Sequence, residues 1–201
     1  MRFKVIRFQG YQEAISGAML SKGATDYDFL VNLKENFTDA FSEKASKLAD
    51  KLAGADGGHN KFLEQIQLWI VIDAPLYWWK QFDTYRIGIS KSSESTMFKM
   101  WKKGVSQEDF ESPVYECTLK ALNDDITLYN QTQDMEVFRR IINNLPDGYL
   151  QTRLVNVNVK SLRNIYQQRK NHKLKEWREF CKFLKETCGD YVTAVKGDKE
   201  E

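Results

Sequence analysis

The sequence predicts a mixed α+β fold, and two observations carry that expectation. Three short segments have strand character: residues 3–8, 68–72 and 150–157. The longer stretches between them have helical spacing, most clearly residues 27–52, where Leu30, Leu33, Phe37, Phe41, Ala45, Leu48 and Leu52 recur three or four apart.

The elements follow in order. Residues 3–8 alternate apolar and basic side chains, as a half-buried strand does, and Gly10 ends the run. Tyr11–Leu20 reads as a helix. The 27–52 pattern breaks near residues 36–39, and Gly54, Gly57 and Gly58 mark a loop after it. Residues 59–65 read as a short helix. Residues 68–72 are bulky and β-branched, as in a buried strand, although periodicity equally allows a buried helix. Pro75 suits the first turn of a helix carrying Tyr77, Trp78, Trp79 and Phe82. Residues 87–96 are serine-rich and read as extended or loop. Helices are predicted over 115–129 and 135–142, then a turn at Leu145-Pro146-Asp147-Gly148, a strand over 150–157, and helices over 159–168 and 174–187. The chain has no internal repeat and no low-complexity linker. It is expected to form one domain over residues 1–196 with a charged tail at 197–201.

The 201 residues suffice for one sizeable core without staples. Thirty basic and 28 acidic side chains leave a formal charge of +2, which argues against a polycationic nucleic-acid binder. Cys117, Cys181 and Cys188 are odd in number and lack CxxC spacing, so free thiols in a reducing compartment are expected rather than a disulfide framework or zinc site. His59 and His172 have no metal-like companions. The start of the chain lacks a signal-like stretch and no apolar run is long enough to cross a bilayer, so a cytoplasmic location is expected.

Two segments concentrate chemical groups. Residues 59–97 couple an apolar run to an aromatic helix, then Arg86, then hydroxyls at Ser92, Ser93, Ser95 and Thr96. An arginine fork beside hydroxyls and an amide nest can form an anion pocket; a polar hairpin with a surface arginine explains the same composition. Residues 156–169 carry Asn158, Lys160, Ser161, Asn164 and Arg169; Asn158, Asn164 and Arg169 share part of a helical ligand surface, or the segment is an ordinary amphipathic helix with a solvated basic face.

Both segments resemble the flavin-dependent thymidylate synthases. That family shows a Glu-His pair, an apolar strand, a proline before an aromatic helix, a glutamine, two intervening residues, an Arg-His-Arg triplet and a serine-bearing loop. Here stand Glu64-Gln65, Pro75, Gln81 and Thr84-Tyr85-Arg86, and Ser95 matches the family serine with one extra residue allowed. The second family run, Asn-Ala-Arg-Ser-Leu with a later arginine, is matched by Asn158, Ser161, Leu162 and Arg169, with Lys160 replacing the arginine. Asn164 stands where the family has histidine or asparagine. Thr84, Tyr85 and Gln65 replace two basic or imidazole groups of the triplet and a histidine.

The resemblance implies a small, mainly antiparallel sheet packed by helices, and reductive methylation of dUMP to dTMP. Methylene-tetrahydrofolate and reduced FAD would be consumed, with NADPH as co-substrate, in a homotetramer whose sites are built between subunits. It implies catalytic roles for Arg86, Ser95 and Arg169. Gln65, Gln81, Tyr85, Asn158, Lys160 and Asn164 would hold the cofactor, no metal is implied, and Trp78, Trp79 and Tyr85 would offer a flat stacking slot. Two further readings stay open: a nucleotide-binding protein on this scaffold without flavin catalysis, and a nucleic-acid-binding module using the basic stripe Lys170, His172, Lys173, Lys175 and Arg178.

Overall fold

A computed structural model describes residues 1–55 and 58–193. The predicted tail at 197–201 and Gly57 of the predicted loop lie outside the described residues. In chain order the elements are β1 (Arg2–Gln9), α1 (Tyr11–Leu20), α2 (Tyr27–Val31), α3 (Leu33–Asn36), α4 (Asp39–Ala53), a 3₁₀ turn (Lys61–Glu64), β2 (Gln67–Pro75), α5 (Leu76–Phe82) and β3 (Ile89–Ser93). There follow α6 (Thr96–Lys103), a 3₁₀ turn (Gln107–Asp109), α7 (Glu116–Thr132), α8 (Met135–Asn144), β4 (Leu150–Asn158), α9 (Val159–Arg169), α10 (Lys175–Cys188) and α11 (Asp190–Thr193). The strands form one antiparallel sheet in the order β1-β2-β4-β3, so the expected α+β class with a small antiparallel sheet is what is found.

The differences from expectation have local causes. The 27–52 pattern is three helices, and the break falls at Phe37-Thr38 because the Thr38 hydroxyl accepts from the Phe41 amide and starts α4 afresh. Residues 68–72 resolve as strand. Leu68, Ile70, Ile72 and Ala74 are fully buried while Gln67, Trp69 and Val71 are half-covered, a period of two. Pro75 closes β2 and serves as N-cap of α5 instead of entering its first turn; its ψ of 152° keeps it extended. Helix α6 is not among the predicted elements, and only its first residue, Thr96, falls in the stretch 87–96 read as extended or loop. Met97, Met100 and Trp101 give it an apolar face at helical spacing.

By packing, the chain divides into two compact units. The first comprises residues 1–3, 71–85 and 91–154. Its core joins Met100, Leu122, Ile126, Ile141 and Tyr149, with α7 and α8 packed as a helical pair. Trp78 and Trp79 are buried as well, their rings meeting at 5.0 Å, with Phe82 stacked on Trp78. The expectation that these two tryptophans line a ligand slot is therefore corrected: the rings are core, and their faces are taken by protein. Asp109 is also buried here. Burial alone would raise its carboxyl pKa, but Lys103 at 2.7 Å and donors from Ser106 outweigh that and hold it below 3.8. A depressed folded pKa adds stability that is present above the ordinary value and lost as pH falls through the depressed one. Urea melts from pH 7 down to about pH 3 should show stability falling in acid, and Asp109→Asn should flatten that slope.

The second unit comprises residues 4–70, 86–90 and 155–201, of which 56–57 and 194–201 are not described. Its helices α1, α4, α9, α10 and α11 pack on one another. Ala45, Ala49 and Ala53 form a buried small-residue stripe along α4 that allows close approach. Gly10 opens α1 at φ +84°, and a Cβ there would lie 2.4 Å from the Gln65 carbonyl oxygen, so glycine is required. Burial pushes the thiols of Cys181 and Cys188 up to about 12, whereas Cys117 of the first unit is exposed. An aromatic disulfide reagent should therefore titrate one thiol in the native protein and three after unfolding. A native count of three would contradict this packing.

Candidate functional site

The second unit gathers several of the predicted residues around the start of α9. Asn158, the last residue of β4, is buried, and its side chain accepts from the Ser161 amide at 2.8 Å, capping the helix. The Val159 amide donates to Ile66 O at 3.0 Å, and the Asn158 amide donates to Gly88 O at 3.2 Å. The Ser161 hydroxyl donates to Ile87 O at 2.6 Å. Two strips of chain, one around Gln65-Ile66 and one around Arg86-Ile87-Gly88, are thus tied to the same helical turn. The amides of Val159 and Ser161 are spent on protein acceptors. These two bonds leave fewer backbone donors for an anion arriving at this turn.

Arg86 is exposed on this loop, as is Gln65 beside the other strip. Lys160 does not extend into solvent: its ammonium lies 2.5 Å from Glu64 Oε1. Both side chains are partly exposed, so the pair is a weak restraint that another anion can displace. Arg169 lies over the Trp177 ring, its guanidinium carbon 4.7 Å from the centroid, so the ring supports the cation. Asn158, Asn164 and Arg169 do not share one surface. At about 100° per residue, Asn158 and Arg169 fall within roughly 20° of one another, and Asn164 points elsewhere. Accordingly Asn158 is buried and Arg169 half-buried, while Asn164 is exposed and accepts from Gln168 at 3.0 Å. Arg163, not singled out from the sequence, is buried and donates to the Ala53 carbonyl at the end of α4. His172 is held below its usual 6.5 by burial and by Arg169, Lys173 and Arg178, so it is neutral at pH 7. Arg178 of the basic stripe spends Nη1 on the carbonyls of His172 and Lys173.

The first unit holds the remaining three. Gln81 and Tyr85 are half-buried at the end of α5, with Tyr85 edge-on to Phe82 at 6.3 Å. Ser95 is exposed, and its hydroxyl accepts from the Phe98 amide as N-cap of α6. The predicted amide nest among the serines is instead a strand end: Ser92 and Ser93 lie in β3, and the Glu94 amide donates to Thr152 O. This unit also has a polar concavity of 530 Å³, lined by Arg2, Asp73, Lys99, Lys103, Asp109 and Leu150 among others. Its cations are paired with carboxylates: Arg2 with Asp73, Lys103 with Asp109 and Lys99 with Glu94. Asp73 also accepts from Thr152 at 3.1 Å. Asp73 stands inside an apolar run, and its partners Arg2 and Thr152, 71 and 79 residues away in the chain, account for its burial.

Among the described residues, no group of three or more His, Cys, Asp or Glu could hold a metal ion, and no helix is long and apolar enough to cross a membrane. No curated protein sequence matches. Two solved structures of the flavin-dependent thymidylate synthase ThyX from Helicobacter pylori, both with FAD and dUMP, share the fold. One has a TM-score of 0.71 at 18% identity, covering 98% of this chain and 100% of that one. The other has a TM-score of 0.71 at 17% identity, covering 98% of each. The sequence profile described as thymidylate synthase complementing protein matches residues 11–192, and the chain belongs to that family.

Proposed function

We propose that this protein is a flavin-dependent thymidylate synthase, converting dUMP to dTMP with methylene-tetrahydrofolate as carbon donor. The observation that carries this reading is the family match across residues 11–192, which includes both segments that bear the candidate side chains. A methylene-level carbon needs two electrons to become a methyl group, and reduced FAD, when bound, would supply them as hydride, with the folate leaving as tetrahydrofolate. NADPH would restore the reduced flavin. The donor set suits these ligands: Arg86, Lys160 and Arg169 are cationic with exposed or half-covered side chains, as phosphate and pyrophosphate require.

Within this reading Arg86 clamps the nucleotide phosphate, and Arg169, resting on Trp177, offers a second fork. Ser95, whose hydroxyl only accepts in its capping bond and keeps its own proton to give, is a donor to the uracil ring, as are Gln81 and Asn164. Tyr85 takes the stacking role that buried Trp78 and Trp79 cannot fill. Gln65, Asn158 and Lys160 belong to the flavin side, Asn158 by holding the start of α9 and Lys160 by exchanging Glu64 for a ligand anion. No cysteine serves as nucleophile, and the buried thiols of Cys181 and Cys188 are unsuited to it. The assembly is a cytoplasmic homotetramer.

The test is the visible spectrum of the purified protein with and without added FAD and dUMP. Bands near roughly 370 and 450 nm, perturbed by dUMP, are the expected result. A protein that retains no FAD after desalting, even with dUMP present, would instead indicate a nucleotide binder in which Thr84 and Tyr85 have cost the cofactor.

A further inference from the structure

The loop that carries Arg86 is unusually bare. Ile87 is 89% exposed, Gly88 is exposed, and the backbone at Gly88 has φ +67°. Such a segment is expected to sample many conformations, and ordering it on binding would weaken affinity. Two bonds to the first turn of α9 oppose this: Ser161 Oγ to Ile87 O at 2.6 Å, and the Asn158 amide to Gly88 O at 3.2 Å. The fit between the two is close. A Cβ on residue 88 would stand 2.1 Å from Asn158 Nδ2 and 2.9 Å from Ser161 Oγ. Asn158 is itself fixed by its capping bond to the Ser161 amide.

We infer that Ser161 and Gly88 form a latch that fastens the Arg86 loop to α9, and that Ser161 is a positioning residue for anion binding rather than a ligand contact. The inference rests on the reading of Arg86 as a phosphate ligand. Ser161 has one hydroxyl proton, and it is committed to a carbonyl 74 residues away in the chain. Its value to binding is therefore preorganisation: the arginine is presented on a backbone already held. Gly88 is the complementary half, since only a residue without Cβ lets the loop carbonyls reach the helix at this positive φ.

The experiment compares Ser161→Ala, Ser161→Thr, Ser161→Val, Gly88→Ala and Arg86→Ala. It reads dUMP and FAD affinity by titration, exchange of the Asn158 amide by NMR, and the melting temperature. Ser161→Ala is expected to speed Asn158 exchange and raise the Kd about tenfold, the scale of one neutral hydrogen bond, with little change in melting temperature. Thr should restore both readouts and Val neither, which a purely structural role for residue 161 would not produce. Gly88→Ala should weaken binding further, and should it fail to fold, the Ser161 series decides alone. Faster exchange with unchanged affinity overturns the positioning role, and unchanged exchange overturns the latch itself, whatever happens to the ligands. Unchanged affinity in Arg86→Ala, or a wild-type chain that binds neither probe, overturns the phosphate-ligand reading and the positioning role with it, while the exchange data still report on the latch.

Discussion

Trp79→Ala is expected to cost about 3–5 kcal/mol of folding stability, the range for truncating a buried aromatic ring. Against a total of about 5–15 kcal/mol for a typical domain this is severe. Several losses combine. The indole is 1% exposed, so its removal leaves a cavity beside Trp78 and Phe82, whose rings lie 5.0 and 5.5 Å away. Its Nε1 donates to Gln151 O at 2.9 Å, and that carbonyl would lose its partner. The Arg153 guanidinium sits 4.3 Å from the ring centroid while also binding Asp83, so the cation loses the face it rests on. At about 2–4 °C per kcal/mol for a chain of this size, the melting temperature should fall by roughly 10 °C. Trp79→Phe keeps most of the volume and should lose about 1 kcal/mol beyond packing, the worth of the indole hydrogen bond. A stable Trp79→Ala protein with impaired ligand binding would reverse the assignment and return the ring to a ligand slot. Tyr85→Ala is the contrast: a half-buried ring whose removal should weaken binding more than folding.

The same aromatic helix shows what a sequence can and cannot carry. Its existence was legible, because Pro75 and the run of rings mark a helix after a strand. Its orientation was not, since Trp78 and Trp79 have the same composition whether they face a ligand or a core. Spacing within a segment was also legible: Gln81 to Arg86, and Asn158 through Ser161 to Arg169, are fixed along one stretch of chain. Pairings between segments were not. Lys160 meets Glu64, Ser161 meets Ile87 and Asp73 meets Arg2 across 96, 74 and 71 residues, and no local pattern encodes such distances. Helix α6 is an intermediate case. Ser95 followed by Met97, Met100 and Trp101 is a cap and an apolar face, but the serines before it read as loop and hid its start. The helical period already sets Asn164 apart from Asn158 and Arg169, and burial then shows that Asn158, capping α9, is the one that holds the helix in place.

Arg86→Ala is expected to raise the dUMP Kd by about two to four orders of magnitude. A fork that gives two charge-assisted bonds to a phosphate is worth about 1.5–3 kcal/mol per bond, and each 1.4 kcal/mol is tenfold. The effect should be large here because Thr84 and Tyr85 bring no charge to the positions just before it, leaving Arg86 as the last member of the triplet. Arg86→Lys keeps the charge and loses the fork, so it should fall between wild type and alanine. Folding should barely change, since the side chain is exposed. Arg169→Ala separates from this pattern in a useful way. It should also lose dUMP affinity, but with a stability cost of about 0.5–1 kcal/mol, because its guanidinium covers Trp177. Raising salt should weaken wild-type binding and narrow the gap to both variants. If both alanine variants bind dUMP as the wild type does, the phosphate does not lie on these arginines, and the nucleotide assignment of this site fails even though the fold stands.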